Sequence, residues 1–235
     1  MSTMRLIDGA EAHAPSGRPL AVVDVDEVVL QFIAPLAAFL ERHGFRLEPR
    51  SFAITGNVTK IGGGQAIPSA LVKELIDAFF RAEVESQPPV EGAVAALTRL
   101  AAYADVVLLT NVPAAQAERR AAHLGRLGLA LPMIANEGSK GPALATLATA
   151  ARARASGCPV IFVDDGPNHL AAARQAVEAI RLVHFVADPA WFAMAPEVGG
   201  TWLRTRDWGT VERAIGGLIG GDEAGLPIVG GGADA

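Results

Sequence analysis

The sequence is short of several things, and each shortage closes a class of function. It holds one cysteine, Cys158, in 235 residues. A single thiol forms no internal disulfide, and no Cys/His set has the spacing of a zinc site. Lys and Arg total 20 against 25 acidic residues, for a net charge of -5, and the basic residues form nothing larger than pairs such as Arg119-Arg120. A protein that grips a long nucleic acid needs a basic patch, so no nucleic-acid polymer is expected as a partner. No apolar run approaches the ~20 residues of a membrane helix. The N-terminal MSTMRLIDGAEAHAP has no apolar core for export. The expectation is a cytoplasmic protein with no membrane partner. No internal repeat is present.

What is there is an apolar, weakly charged chain, 51% hydrophobic and 19% charged. That composition fits a folded Ala/Val/Leu-rich α/β protein and not a disordered one. The length allows one substantial core, or a core with a small second lobe. Residues 1–18 are polar and turn-rich and read as a loose leader. Residues 19–24 (PLAVVD) read as a short buried strand ending in an acid. Residues 34–43 read as a helix closed by Gly44. Residues 50–66 read as irregular, with Gly62, Gly63 and Gly64 as a turn. Residues 69–82 carry Leu71, Leu75 and Phe79 at helical spacing, and Pro88-Pro89 punctuate the chain.

From there the pattern turns regular. Helices are predicted over 90–102, 113–127, 142–155 and 168–179. Strands are predicted over 105–110, 132–135, 159–164 and 181–186. Pro113 suits a first helical turn. Strands alternating with helices imply a parallel sheet covered on both faces, a Rossmann-like α/β fold. The stretch 30–88 breaks the alternation and reads as a small, mainly helical cap inserted into a core of residues 1–29 and 89–215. From Gly216 to the end the chain is Gly-rich and reads as a flexible tail.

In open parallel sheets, ligands bind beyond the carboxyl ends of the strands. The first strand delivers Asp24-Val25-Asp26 there, the second Thr110-Asn111, the next loop Ser139-Lys140-Gly141, and the fourth Asp164-Asp165. Crowded carboxylates repel, and a divalent cation relieves the repulsion. All-oxygen ligation suits Mg²⁺ shared with a phosphate. A carboxylate can attack phosphorus and split one hard step into two. An acid two residues on lies on the same side of an extended chain; it can protonate the leaving oxygen and then deprotonate water. The Thr110 hydroxyl, the Asn111 N–H and Lys140 can neutralise phosphoryl oxygens.

The segments AVVDVDEVV, VVLLTN, GSKGP and VIFVDDGPN, in that order, resemble the four motifs of the haloacid dehalogenase (HAD) superfamily. The resemblance covers roughly residues 19–186. It implies a Mg²⁺-dependent hydrolase acting on a small phosphorylated metabolite, with Asp24 as nucleophile and Asp26 as general acid/base. It implies metal ligation by the Asp24 side chain, the Asp26 backbone carbonyl, Asp165 directly, and Asp164 directly or through water. A long gap between the first two motifs resembles the helical-cap branch, with nucleotidase-like members nearest. Two departures stand out. Glu27-Val28 replaces the usual Gly-Thr or Gly-Val, which adds a negative charge beside the site. The last motif is an Asp-Asp variant with no further acid following.

Each feature alone has a plainer reading. Acids end many strands, Thr110 can cap a helix, Lys140 can be solvated, and Asp164-Asp165 can cap the next helix. Phe32, Phe52, Phe79 and Phe80 read as cap core, His169 as a helix-surface residue, and Trp191, Trp202 and Trp208 as packing of the C-terminal segment. His13, His43, His123 and His184 show no ligand spacing. Rival chemistries are a metal-independent dehalogenase, against which Asp26 argues, a phosphonate-cleaving enzyme, and a phosphomutase. A receiver domain orders its acids differently and is about half as long. An inactive binding module of the same fold is the remaining rival.

Overall fold

The computed structural model describes residues 5–7, 9–10 and 13–221. Seven strands form one parallel sheet: β1 (Arg5–Ile7), β2 (Leu20–Val23), β5 (Asp105–Thr110), β6 (Pro132–Ala135), β7 (Val160–Asp164), β8 (Arg181–Phe185) and β9 (Thr201–Thr205). Their order is β1-β6-β5-β2-β7-β8-β9. The chain therefore runs from central β2 to one side, then returns to build the other. The crevice at that reversal lies at the carboxyl ends of β2, β5 and β7.

β-branched runs fit strands buried on both faces. In β2, Ala21 and Val23 enter one apolar cluster while Leu20 and Val22 enter the other. The first cluster packs helices α3 (Ala93–Leu100), α4 (Ala117–Arg126) and α8 (Trp208–Gly220) onto the sheet; the second packs α5 (Gly141–Arg154) and α6 (Pro167–Ala176). A Cβ at position 141 would lie 3.3 Å from Ala172 O and 3.4 Å from Ala176 Cβ. Gly141 thus lets the start of α5 seat against α6.

The chain between β2 and β5 holds α1 (Ile33–Arg42), α2 (Ser69–Glu83) and an antiparallel hairpin of β3 (Phe45–Leu47) and β4 (Val58–Lys60). Leu36, Phe39, Leu40, Val58, Val72, Phe79 and Phe80 of this insert bury a further small core, which Val112 and Ala117 join from the chain after β5. The hairpin differs from the reading of residues 50–66 as irregular. Asn57 orders the loop before β4, with its amide donating to Ser51 O and Ala53 O.

Two readings of the chain ends are corrected. The segment 1–18 is not simply loose. β1 pairs in parallel with β6, and Ser16 and Arg18 both bind the Asp105 carboxylate, with Arg18 at 2.9 Å. Residues 216–220 belong to α8, which starts on an Asp207 cap and ends at Gly221 with φ 79°. Backbone satisfaction by the cap and burial of Trp208, Val211, Ala214 and Ile215 outweigh the weak helix propensity of the glycines. Residues 222–235, the rest of the expected tail, lie outside the described residues, as do 1–4, 8, 11 and 12. β9 and α7 (Pro189–Met194) extend the core beyond the last motif.

Candidate active site

β2 is flanked by β5 and β7, with Val23 level with Leu108 on one side and Val163 on the other. One residue further, Asp24 comes level with Asp164. Its backbone N–H donates to Val163 O at 2.9 Å. The chain then turns sharply: the N–H groups of Val28, Val29 and Leu30 all converge on Val25 O. Glu27 takes a left-handed φ of 64° in that turn.

The structure brings together three carboxylates and one ammonium. Asp24, Asp164 and Asp165 offer oxygens within 4.8 Å of one another. Lys140, almost fully buried, places Nζ 2.6 Å from Asp24 Oδ1 and 2.7 Å from Asp164 Oδ2. Burial pushes the Asp24 carboxyl from 3.8 to about 7; Lys140 pulls it down, while Asp164 and Asp26 push it further up. Asp165 is pushed well above the ordinary range by burial, then by Asp164 and Asp24. Burial works against the Lys140 ammonium, but Asp164 and Asp24 outweigh it and hold the group charged. With all three acids ionised, one cation would leave two negative charges uncompensated, which is why the buried carboxyls hold on to their protons. That surplus, with all-oxygen donors, fits a divalent cation such as Mg²⁺.

The other expected site residues are placed as follows. Thr110 is fully buried at the end of β5, and its hydroxyl has no hydrogen-bond partner among the described residues. The exposed Asn111 side chain donates to Gly138 O and accepts from Asn136, which ties the loop after β5 to the loop before Lys140. Asp26 stands apart from the acid cluster. Its Oδ1 accepts from Gln87 Nε2 at 3.0 Å and from Arg120 at 2.9 Å. Asp164 has both oxygens engaged, Oδ2 by Lys140 and Oδ1 by the Gly166 N–H at 2.7 Å.

Several residues of this neighbourhood have roles that the sequence does not assign them. Glu27 is buried, and its carboxylate accepts three backbone N–H groups, from Phe32, Ile33 and Asp188. It closes the start of α1 and fastens the loop before α7. His184 is fully buried, with Nε2 3.0 Å from Asp165 O, under the acid pair. A cavity of about 140 Å³ lies beside Asp165, with Phe52 and Ile54 of the insert facing Val186 and Trp191 of the core. Trp191 was read as C-terminal packing only. For Arg120 the signal was available: it is a charged residue on the apolar stripe Ala117, Ala121, Leu124 of α4. For Gln87 there was none.

No protein-family model and no curated protein matches the sequence. Solved structures do match in fold. A haloacid dehalogenase-like family hydrolase from Streptococcus pneumoniae superposes with a TM-score of 0.53 at 11% identity, over 85% of this chain and 99% of that one. YfnB from Bacillus subtilis, in a structure bound to magnesium, superposes at 0.54 and 14% identity, over 84% and 98%. An L-2-haloacid dehalogenase superposes at 0.50 and 13% identity, over 84% and 99%. The chain has the α/β fold of the HAD-type hydrolases. No helix among the described residues is long and apolar enough to cross a membrane.

Proposed function

We propose that the protein is a Mg²⁺-dependent phosphomonoesterase that works through a phospho-Asp24 intermediate. One observation carries the reading: Lys140 bridges Asp24 and Asp164 beside Asp165, a set of three acids to one cation that a divalent ion would balance once the carboxyls give up their protons. Mg²⁺ would be held by the Asp24 carboxylate, the Asp26 backbone carbonyl and Asp165, with Asp164 directly or through water. The full engagement of Asp164 by Lys140 and Gly166 favours Asp165 as the direct ligand. When bound, the ion supplies positive charge to the acids and to the substrate phosphate.

The chain's own residues do the rest. Asp24 has one oxygen held by Lys140, and its other oxygen forms the bond to phosphorus as the ester P–O bond breaks. Asp26 gives a proton to the departing oxygen. It then takes one from the water that attacks the aspartyl phosphate, which releases inorganic phosphate and restores Asp24. The unpartnered Thr110 hydroxyl, the Asn111 N–H and Lys140 contact the phosphoryl oxygens. Residues 30–88 act as a cap that excludes water and selects the leaving group. The substrate class is a small phosphorylated metabolite such as a nucleotide or sugar phosphate.

The fold is shared with a dehalogenase, and the acid cluster argues against that chemistry. Halide displacement needs no metal, so a surplus of buried carboxylates would only cost stability. The test is phosphate release across a panel of phosphorylated metabolites, with and without Mg²⁺, by wild type and Asp24→Asn. Metal-dependent release lost in the variant is the expected result. Mg²⁺ binding without release from any compound would refute the hydrolase and leave a mutase or a binding protein.

A further inference from the structure

Helix α4 carries an arginine where its buried face calls for an apolar side chain. The face is Ala117, Arg120, Ala121 and Leu124, and Arg120 is fully buried. A buried guanidinium is costly unless it is paired and hydrogen-bonded. Arg120 spends its hydrogen bonds in one direction. A single terminal nitrogen donates to Asp26 Oδ1 at 2.9 Å and to Gln87 Oε1 at 2.6 Å. Its other two nitrogens are buried and have no partner among the described residues, and the group lies 5.7 Å from the centre of the Phe80 ring. Its hydrogen bonds among the described residues thus run only to Asp26 and to Gln87, which binds the same Asp26 oxygen.

Gln87 completes the arrangement. Its Nε2 donates to the same Asp26 oxygen at 3.0 Å and to Gln31 O at 2.9 Å. Its backbone carbonyl is met by His123 Nε2 at 2.7 Å. Gln87 is therefore fixed from α4 and from the chain entering the insert. Two donors converge on Oδ1, and none among the described residues reaches Oδ2.

We propose that Arg120 and Gln87 are positioning residues for proton transfer: by holding Oδ1 they set the rotation of the Asp26 carboxyl and present Oδ2 to the leaving-group oxygen. The inference rests on the reading of Asp26 as general acid. The proton moves from Oδ2 to the departing oxygen while Oδ1 keeps its two hydrogen bonds, so Asp26 ends ionised against the Arg120 cation.

A purely structural tie would behave differently, and leaving-group dependence separates the two. An alkoxide needs a proton as it departs, whereas a dinitrophenolate leaves without one. The experiment compares kcat/KM for an alkyl phosphate and for 2,4-dinitrophenyl phosphate, a ratio that covers steps through phospho-enzyme formation. Arg120→Met and Gln87→Leu are expected to lose about 10²-fold on the alkyl ester and only a few-fold on the dinitrophenyl ester. Arg120→Lys is expected to recover part of the loss. Mg²⁺ binding by calorimetry stays unchanged in all three. Gln87→Leu carries the test if Arg120→Met does not fold. Equal losses on both esters, or weakened Mg²⁺ binding, would make the pair scaffolding and overturn the proposal. Asp26→Asn is the benchmark. Absence of the split there refutes the general-acid role itself. A wild type that turns over neither ester with Mg²⁺ refutes the phosphatase reading, and the positioning role falls with it.

Discussion

Lys140 Nζ lies 2.6 Å from Asp24 Oδ1, with both side chains almost wholly out of water. The same ammonium reaches Asp164 Oδ2 at 2.7 Å, so one cation holds two acids that would otherwise repel. Removing one partner of a buried ion pair strands the remaining charge, at a cost of about 3–5 kcal/mol. Lys140→Met is therefore expected to lose about that much stability near neutral pH in chelator. Urea denaturation measures it. The loss should shrink as pH falls and the stranded acids take up protons, and shrink also when Mg²⁺ is added. A loss under about 1 kcal/mol at neutral pH would show that the ammonium is not the counter-charge of the cluster.

Metal affinity should depend on pH in a fixed direction. Burial lifts Asp24 from 3.8 to about 7, so below that pH the metal-free carboxyl keeps its proton. A metal must displace this proton, and affinity falls as pH falls through about 7. The stability sign agrees. An acid whose folded value is raised stabilises the protein below its unfolded value, and that contribution fades as pH rises through about 7. Excess Mg²⁺ should then raise Tm most near pH 8 and least near pH 5. A Tm increment that is flat with pH, or larger at the acid end, would contradict the placement of Asp24 among the metal ligands.

The four motif-bearing segments were legible because buried parallel strands are β-branched runs with polar residues at their carboxyl ends. β6 falls on residues 132–135 and β5 on 105–110, as the pattern predicts. Asp24 and Asp164-Asp165 stand at such ends and Lys140 in the loop that follows β6, and the sheet brings them together. β1, β3 and β4 have three residues each, too few to show a period of two. Gly216, Gly217 and Gly220 hid the last turns of α8, whose stability comes from Trp208 and Ile215 packing on the core. Trp208 also donates Nε1 to Val28 O at 2.9 Å, a contact across the whole chain that no local pattern encodes. Arg119-Arg120 stands in the sequence only as a short basic pair. On a helix, neighbours point about 100° apart, so Arg119 reaches Glu85 at the surface while Arg120 turns inward to Asp26.

Glu27 was read as an extra charge beside the metal, yet its carboxylate serves the backbone. Three N–H groups, from Phe32, Ile33 and Asp188, spend its oxygens at 2.8–3.0 Å. These bonds hold the residue at φ 64°, a region that costs a non-glycine residue about 1 kcal/mol or more. Glu27→Gln replaces one acceptor with an amide NH₂ that faces an N–H donor. The expected cost is about 1–3 kcal/mol of unfolding free energy, with Mg²⁺ affinity nearly unchanged. If Glu27→Gln instead kept its stability and altered Mg²⁺ affinity tenfold, the side chain would belong to the metal site.

Phe52 of the insert packs edge-on against Trp191 of the core, with ring centroids 5.7 Å apart and planes at 66°. It also meets His184 at 6.2 Å, beside the cavity that borders Asp165. An aromatic pair of this kind contributes about 0.5–1.5 kcal/mol beyond its buried area. That is enough to bias the insert toward the core, and small against the stability of the sheet. Phe52→Ala is therefore expected to loosen the contact locally. Amide exchange should quicken in residues 51–54 and in α7, while β5 and β7 keep their wild-type protection. On the proposed phosphatase reading, with residues 30–88 as a closing cap, KM for a phosphate ester should rise, because a cap that closes less often holds substrate less well. Faster exchange throughout the sheet would make Phe52 a fold-wide core residue. Unchanged exchange in both segments would show that the insert is held to the core elsewhere, through Glu27 and the paired crossings at Gln31 and Pro88.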